Sequence, residues 1–232
     1  MNKQIIIDGE VVTYRPGQTL IQAARESGIY IPHLCYQPGY HAIGSCRVCM
    51  VKVNGRWASA CTTLAAEGQV IDNRTLEVDA HRKQIVQMLF VEGNHYCPYC
   101  EKSGECDLQA TAYELNMQED HFQHLYPHRS LDTSHAEVWL DRDRCILCGL
   151  CVQASAEQDN KHLFTLGGRG TATQLLVNSS SGQLGETNIS AGDEAVAVCP
   201  VGALMKKQSI YSRRSGERTY DKTPISKLEF KA

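Results

Sequence analysis

Eleven cysteines stand in three groups at short, regular gaps, and a thiolate is a soft ligand for iron or zinc. The first group is Cys35, Cys46, Cys49 and Cys61, a C-x10-C-x2-C-x11-C arrangement. The close pair can clasp one iron, and the flanking loop and hairpin can bring the other two thiolates to a second. Four thiolates suit a 2Fe-2S cluster or a zinc ion. Gly44 and Ser45 keep the loop small, so that backbone N–H groups can approach the sulfurs and offset their negative charge.

A second pattern is Cys145-x2-Cys148-x2-Cys151 with Cys199-Pro200 far downstream, the run by which bacterial ferredoxins hold a 4Fe-4S cube. A two-cluster ferredoxin would repeat the run ahead of the remote cysteine. Here Ala195-Val196-Ala197-Val198 stands in that place, so the four cysteines must close a single cube. Pro200 has no N–H and fixes the chain's exit from the ligand. Between these groups, Cys97, Cys100 and Cys106 supply three thiolates where a cube needs four ligands. His95, two residues before Cys97, is expected to complete the set through a neutral ring nitrogen. The alternative is that it only donates a hydrogen bond to a sulfur.

Composition narrows the setting. The formal charge of −3 and the mixed signs offer no basic face for a phosphate backbone, so no nucleic-acid partner is expected. The opening run MNKQIIIDGEVVTYRPGQTL breaks its apolar stretch at Asp8-Gly9-Glu10, too soon for a signal peptide or a membrane span, and a cytoplasmic location follows. Thiols stay reduced there, and an odd number of cysteines could not pair completely in any case. Metal is the better explanation, with a zinc-stapled interaction protein as the colourless alternative.

The elements that must carry these residues make an α+β chain. Residues 3–15 read as a hairpin turning at Asp8-Gly9, Thr19 caps a short helix ending at Gly28, and a second hairpin turns at Asn54-Gly55. Short strands at Val70-Ile71 and Leu76-Val78 complete a small mixed sheet in a domain spanning residues 1–78. From Ala80 the period becomes helical up to Gly93, then a loop carries His95 to Cys106, and a helix runs from Asp107 to about Asn116; this is the second segment, 79–130. The stretch 118–136, with His121, His124, His128 and His135, reads as a solvated connection. A strand at Val138-Leu140 and a helix at Asp193-Val198 belong to a third unit, 131–207. Residues 208–232 form a basic arm expected to pack on a partner subunit.

Taken in order, the C-x10-C-x2-C-x11-C domain, the loop GNHYCPYCEKSGECDLQ, and CILCGLC followed by CPVGAL resemble the amino-terminal part of the large iron-sulfur subunit of respiratory complex I, shared with many iron-iron hydrogenases. The arrangement is most similar to the diaphorase-side iron-sulfur subunit of soluble NAD-reducing nickel-iron hydrogenases. In complex I and the iron-iron enzymes three residues separate the histidine from the first cysteine. Here only Tyr96 does, and the usual place falls on Gly93.

This resemblance implies an N-terminal 2Fe-2S ferredoxin-like (β-grasp) domain, a central segment with one histidine and three cysteines, and a C-terminal 4Fe-4S ferredoxin-like domain. It implies one 2Fe-2S and two 4Fe-4S clusters relaying electrons between a flavin/NAD diaphorase subunit, which holds FMN and NAD, and the small and large hydrogenase subunits. The chain would be a relay of a hydrogen:NAD+ oxidoreductase with no substrate site of its own. Consistent with that, Gly167-Gly168-Arg169-Gly170 lacks dinucleotide-binding spacing. The resemblance also implies an order in which the Cys145 set lies between the Cys35 set and the His95 set. Alternatives are a subunit of another complex I-like or formate dehydrogenase assembly, or a free-standing ferredoxin-like carrier.

Overall fold

The structure, a computed structural model, describes residues 3–118, 122–209 and 212–228. Strands β1 (Lys3–Ile7) and β2 (Glu10–Tyr14) pair antiparallel across a turn in which Asp8 (φ 51°) and Gly9 (φ 86°) are both left-handed. That backbone matches the twist of a two-residue hairpin, which is why Asp-Gly is legible as a turn. Helix α1 (Leu20–Glu26) starts where the Gln22 side chain accepts the Thr19 N–H at 2.8 Å, and it stops at left-handed Gly28. Strands β3 (Met50–Val53) and β4 (Arg56–Ser59) turn at Asn54-Gly55 with the same double left-handed backbone. With β5 (Val70–Asp72) they form a five-stranded sheet in the order β2-β1-β5-β3-β4, in which β1 and β5 run parallel. Ile5, Ile7, Leu20, Ile21 and Ile71 fill the core between this sheet and α1.

Helix α2 (Leu76–Glu92) begins four residues earlier than the expected Ala80, so the expected strand Leu76-Val78 is its first turn. Leu-Glu-Val has strand character, but the Thr75 side chain accepts the Val78 N–H at 3.2 Å, and Glu77 and Asp79 lie at the positive end of the helix. A boundary after residue 78 therefore falls inside a helix. Its Arg82 is buried and points back into the first unit, donating to the carbonyls of Met50 (2.9 Å) and Asn73 (2.7 Å) and to Asn73 Oδ1 (2.8 Å).

Helix α3 (Asp107–Glu114) follows the cysteine-bearing loop. The stretch expected to be a solvated connection is mostly exposed among its described residues, and it is also tied down at a few points. Asn94 donates to Pro127 O, the Arg129 N–H donates to Asp143, and Leu131–Asp132 form strand β6. Asp132 is buried because it accepts N–H groups from Ser134 and Leu184. His124 stacks on Tyr126 at 5.2 Å and His135 Nδ1 accepts from Glu137 N, while His121 lies outside the described residues.

Strand β7 (Val138–Asp141) is the centre of a three-stranded sheet, and α4 (Leu150–Glu157) and the hairpin β8 (Phe164–Gly167) with β9 (Gln174–Val177) follow. Helix α5 (Glu194–Ala197) leads through Cys199 to β10 (Leu204–Lys206), which pairs with β7. The glycine run at 167–170 closes the β8–β9 hairpin.

The described part of the arm lies on its own chain. Tyr220 donates to Asp107 at 2.6 Å, Arg218 donates to Ser103 O at 3.1 Å, and Ser226, in the short helix α6 (Ile225–Leu228), donates to Glu114 at 2.8 Å. It therefore straps the Ser103–Asp107 turn and α3 instead of extending away.

Candidate metal centres

In the first set, Cys49 and Cys61 belong to the core under the five-stranded sheet, whereas Cys35 and Cys46 belong to a larger core that also holds Cys106, Cys148, Cys151 and Cys199. Thiol-to-thiol hydrogen bonds join Cys35 to Cys46 and Cys61, and Cys49 to Cys61. The donated hydrogens, from Cys46 first and then Cys61, hold the Cys35 thiol far below its ordinary range, and the same contacts push Cys46 and Cys61 up. Four buried thiols this close together are a donor set that a bound cation would relieve. The loop supports the charge with left-handed Gly44 (φ 65°) and Arg47 (φ 60°) on either side of Cys46, which turns N–H groups inward. The Cys46 N–H reaches Cys35 Sγ at 3.4 Å.

The third set is built the same way on different elements. Leu147 (φ 54°) and Gly149 (φ 74°) bracket Cys148, and N–H groups of Leu147 and Leu150 point at Cys145 and Cys148. Cys199 follows shortly after α5, whose first N–H groups, Glu194 and Ala195, are held by Asp159 at 2.8 and 3.0 Å. The four thiols line one small apolar pocket with Leu175 and Val201. Burial pushes the Cys145 thiol up to about 11, with the neighbouring Cys199 adding, and Cys148 and Cys151 rise for the same first reason. Protonated thiols suit a dry pocket, and a positively charged iron core would be needed to hold them as thiolates.

In the middle set, Cys106 is buried at the start of α3, where the Gln109 N–H faces it, and burial pushes its thiol up. Cys97 and Cys100, on the preceding loop, are close enough for their charges to act on it. His95 sits against Phe90, ring centres 5.5 Å apart, and burial first and Arg144 second lower it to about 4, so the ring is neutral. Its Nε2 is buried with no hydrogen-bond partner among the described residues. It lies so near Gly93 that a β-carbon there would come within 2.6 Å of it. The ring thus fills the space that a side chain at position 93 would occupy. A neutral imidazole with an orphaned buried nitrogen fits the missing ligand. Among the described residues, no three His, Cys, Asp or Glu close around a single-ion site.

The three sets are linked directly. Ser45 Oγ donates to Leu147 O at 2.9 Å, joining neighbours of Cys46 and Cys148. Gln153 of α4 holds the His41 backbone from both sides, accepting at 2.8 Å and donating at 3.0 Å. On the other side, the Asp107 N–H donates to Pro200 O at 2.8 Å. Gly202, where a β-carbon would lie 3.1 Å from Cys100 Sγ, lets the Cys199 segment press on the middle loop. Sequence reasoning misses Arg82, whose charge acts on Cys49, and Arg144, which reaches Cys100. No motif marks them; the only sequence signal is an arginine at an apolar-face position of α2 and another beside Cys145.

Three family models match in succession: a 2Fe-2S iron-sulfur cluster binding domain over residues 3–76, the NADH-ubiquinone oxidoreductase-G iron-sulfur binding region over 82–121, and a 4Fe-4S single cluster domain over 138–205. The gamma subunit of the NAD-reducing hydrogenase HoxS of Cupriavidus necator is 40% identical over 223 residues, 95% of this chain and 94% of that one. The mitochondrial 78 kDa subunit of NADH-ubiquinone oxidoreductase of Candida albicans is 28% identical over 92% of this chain, which spans 30% of that longer protein. Among solved structures, a chain of an NAD+-reducing NiFe hydrogenase in the H2-reduced state superposes with a TM-score of 0.94 at 44% identity, covering 97% of this chain and 96% of that one.

Proposed function

Because the chain belongs to the family of the gamma subunit of NAD-reducing hydrogenases, related to the large iron-sulfur subunit of respiratory complex I, we propose that it wires a hydrogenase module to a flavin-bearing, NAD-handling subunit. It is an electron-transfer subunit of an oxidoreductase complex, with 2Fe-2S and 4Fe-4S binding domains. The partners read from the resemblance are a diaphorase subunit carrying FMN and NAD and the small and large hydrogenase subunits. No helix among the described residues is long and apolar enough to cross a membrane. The likeness to a hydrogenase subunit supports a cytoplasmic complex.

The ligands in this reading are Cys35, Cys46, Cys49 and Cys61 for a 2Fe-2S cluster. His95, Cys97, Cys100 and Cys106 hold one 4Fe-4S cluster, and Cys145, Cys148, Cys151 and Cys199 hold the other. When bound, these clusters supply one-electron carriers whose potentials follow net charge, hydrogen bonds to sulfur and exposure. The protein's part is to supply thiolates, aim N–H groups at them, exclude water and hold the three sets in contact. The observation that carries the reading is the common core: cysteines of all three sets pack in one apolar cluster, with the Cys145 set touching both others. The contacts agree with a middle place for the Cys145 set, and the family likeness adds the proposal that the Cys35 set faces the flavin partner and the His95 set the hydrogenase.

Iron and acid-labile sulfide analysis of the anaerobically purified complex tests it. About ten irons assigned to this chain are expected. A value near six, or stoichiometric zinc, would refute the three-cluster reading.

A further inference from the structure

We propose that Arg144 sets the reduction potential of the centre held by Cys97, Cys100 and Cys106, raising it relative to its neighbours; the proposal rests on the ligand reading above. Arg144 immediately precedes Cys145, yet its side chain turns toward the other centre. Nη1 stands 3.6 Å from Cys100 Sγ, within reach of an N–H to sulfur hydrogen bond. Nε is paired with Asp141 at 2.8 Å, Nη1 is also paired with Glu101, and the guanidinium packs 5.8 Å from the Trp139 ring centre. These contacts on several sides fix the fork in place.

Two physical consequences follow. A guanidinium does not lose its proton in a protein, so the charge beside Cys100 is constant. A donor to a ligand sulfur and a nearby positive charge both stabilise the extra electron of a reduced cluster. The side chain is only 18% exposed, so water screens this field weakly. Removing the arginine would delete the donor and leave the charges of its partners Glu101 and Asp141 uncompensated, and both changes make reduction harder. Glu101 opposes the arginine, since it draws the same Nη1 away from the sulfur. Gly202 keeps the arrangement tight, because a β-carbon there would lie 3.1 Å from Cys100 Sγ and 3.5 Å from Arg144 Nη1. Arg144 is thus a positioning residue at the seam between two centres, one step along the backbone from Cys145 and one hydrogen bond from Cys100.

The test is a redox titration of the assembled complex, following the three centres separately by EPR, with iron content measured on every sample. Arg144→Gln is expected to move the midpoint of the Cys100 centre to a more negative potential. A shift of about 59 mV would change its reduced-to-oxidised ratio about tenfold at fixed poise. Arg144→Lys should shift it less, Glu101→Gln should shift it to a more positive potential, and the Cys35 centre should stay put. An unchanged midpoint in Arg144→Gln at full iron content would overturn the proposal. If that variant loses the cluster, unchanged midpoints in both Arg144→Lys and Glu101→Gln would overturn it. Retention of the centre's signal in Cys100→Ala would instead refute the ligand reading itself, and the proposal with it.

Discussion

The backbone N–H of Asp107 donates to the carbonyl of Pro200 at 2.8 Å, so the residues that follow Cys106 and Cys199 share a hydrogen bond. Cys199 is remote from its own partners in sequence, and this contact makes it the arm of the Cys145 set that touches the middle loop. Ser45 and Leu147 make the corresponding contact at 2.9 Å with the first set. The set that is last in the chain thus has a contact to each of the other two.

The first prediction concerns the proposed order of the centres. In a Cys148→Ser complex shown to lack the Cys145 cluster, H2-driven NAD reduction should fall to background, while the flavin partner still passes electrons from NADH to a soluble dye. Persistence of H2-driven reduction in that sample would reject the order.

His95 is expected to matter to one centre only. His95→Ala should lose or alter the spectrum of the middle cluster and leave the other two intact, and His95→Cys should restore iron with a changed signal. An unaltered middle signal in His95→Ala would reduce His95 to a neighbour of Phe90.

Arg82 is buried with three hydrogen bonds to Met50 and Asn73, and the cost of its replacement is set by the acceptors it leaves behind. Arg82→Leu should destabilise the chain by about 2–4 kcal/mol, since buried acceptors would lose their donor. It should also lower the potential of the Cys49 cluster, because a nearby positive charge is removed. Urea unfolding and a redox titration read the two effects, and an unchanged midpoint in both would refute this.

Gly149 combines a φ of 74° with an approach in which a β-carbon would lie 2.9 Å from Ile43 Cδ1. Gly149→Ala should cost about 1–2 kcal/mol for the left-handed backbone alone, with more from Ile43. Adding Ile43→Ala should return only the steric part. A double-mutant cycle in thermal unfolding separates them, and strict additivity would show that the two residues do not meet.

A chain stopped at residue 211 loses the Arg218 contact to Ser103 and the Tyr220 contact to Asp107. The Cys100 centre should then bleach faster in air than in the full chain, with the Cys35 centre bleaching at its former rate. Equal bleaching rates for the truncated and full chains would show that the strap gives no protection.

Much is readable before any fold is known, and for a common reason. The hairpins at Asp8-Gly9 and Asn54-Gly55 need left-handed backbone at both turn residues, and few residue pairs tolerate it. The close runs Cys46-Cys49 and Cys145-Cys148-Cys151 are local spacings, and Cys199 is legible as the remote partner of the second run only through the proline that follows it. Thr19 and Gly28 mark the ends of α1 because caps are satisfied by residues within one turn. Where two local readings compete, the spacing misleads, as at Leu76-Val78. There the Thr75 hydroxyl, together with seventeen residues of helix, outweighs three residues of strand preference.

What depends on distant partners is decided only by the tertiary structure. Asp132 is polar and looks solvated until Leu184 arrives to donate to it, and the basic arm shows no partner within its own chain until Tyr220 finds Asp107. That the His95 ring fills the space above Gly93 is a matter of how the loop folds back on α2. Arg82 and Arg144 could not be distinguished from solvated arginines, because burial is decided by elements 32 and 44 residues away, at Met50 and Cys100. The cysteine spacing determined what could be bound; which sets come into contact was decided by long-range packing, which brings Pro200 to Asp107 and Leu147 to Ser45.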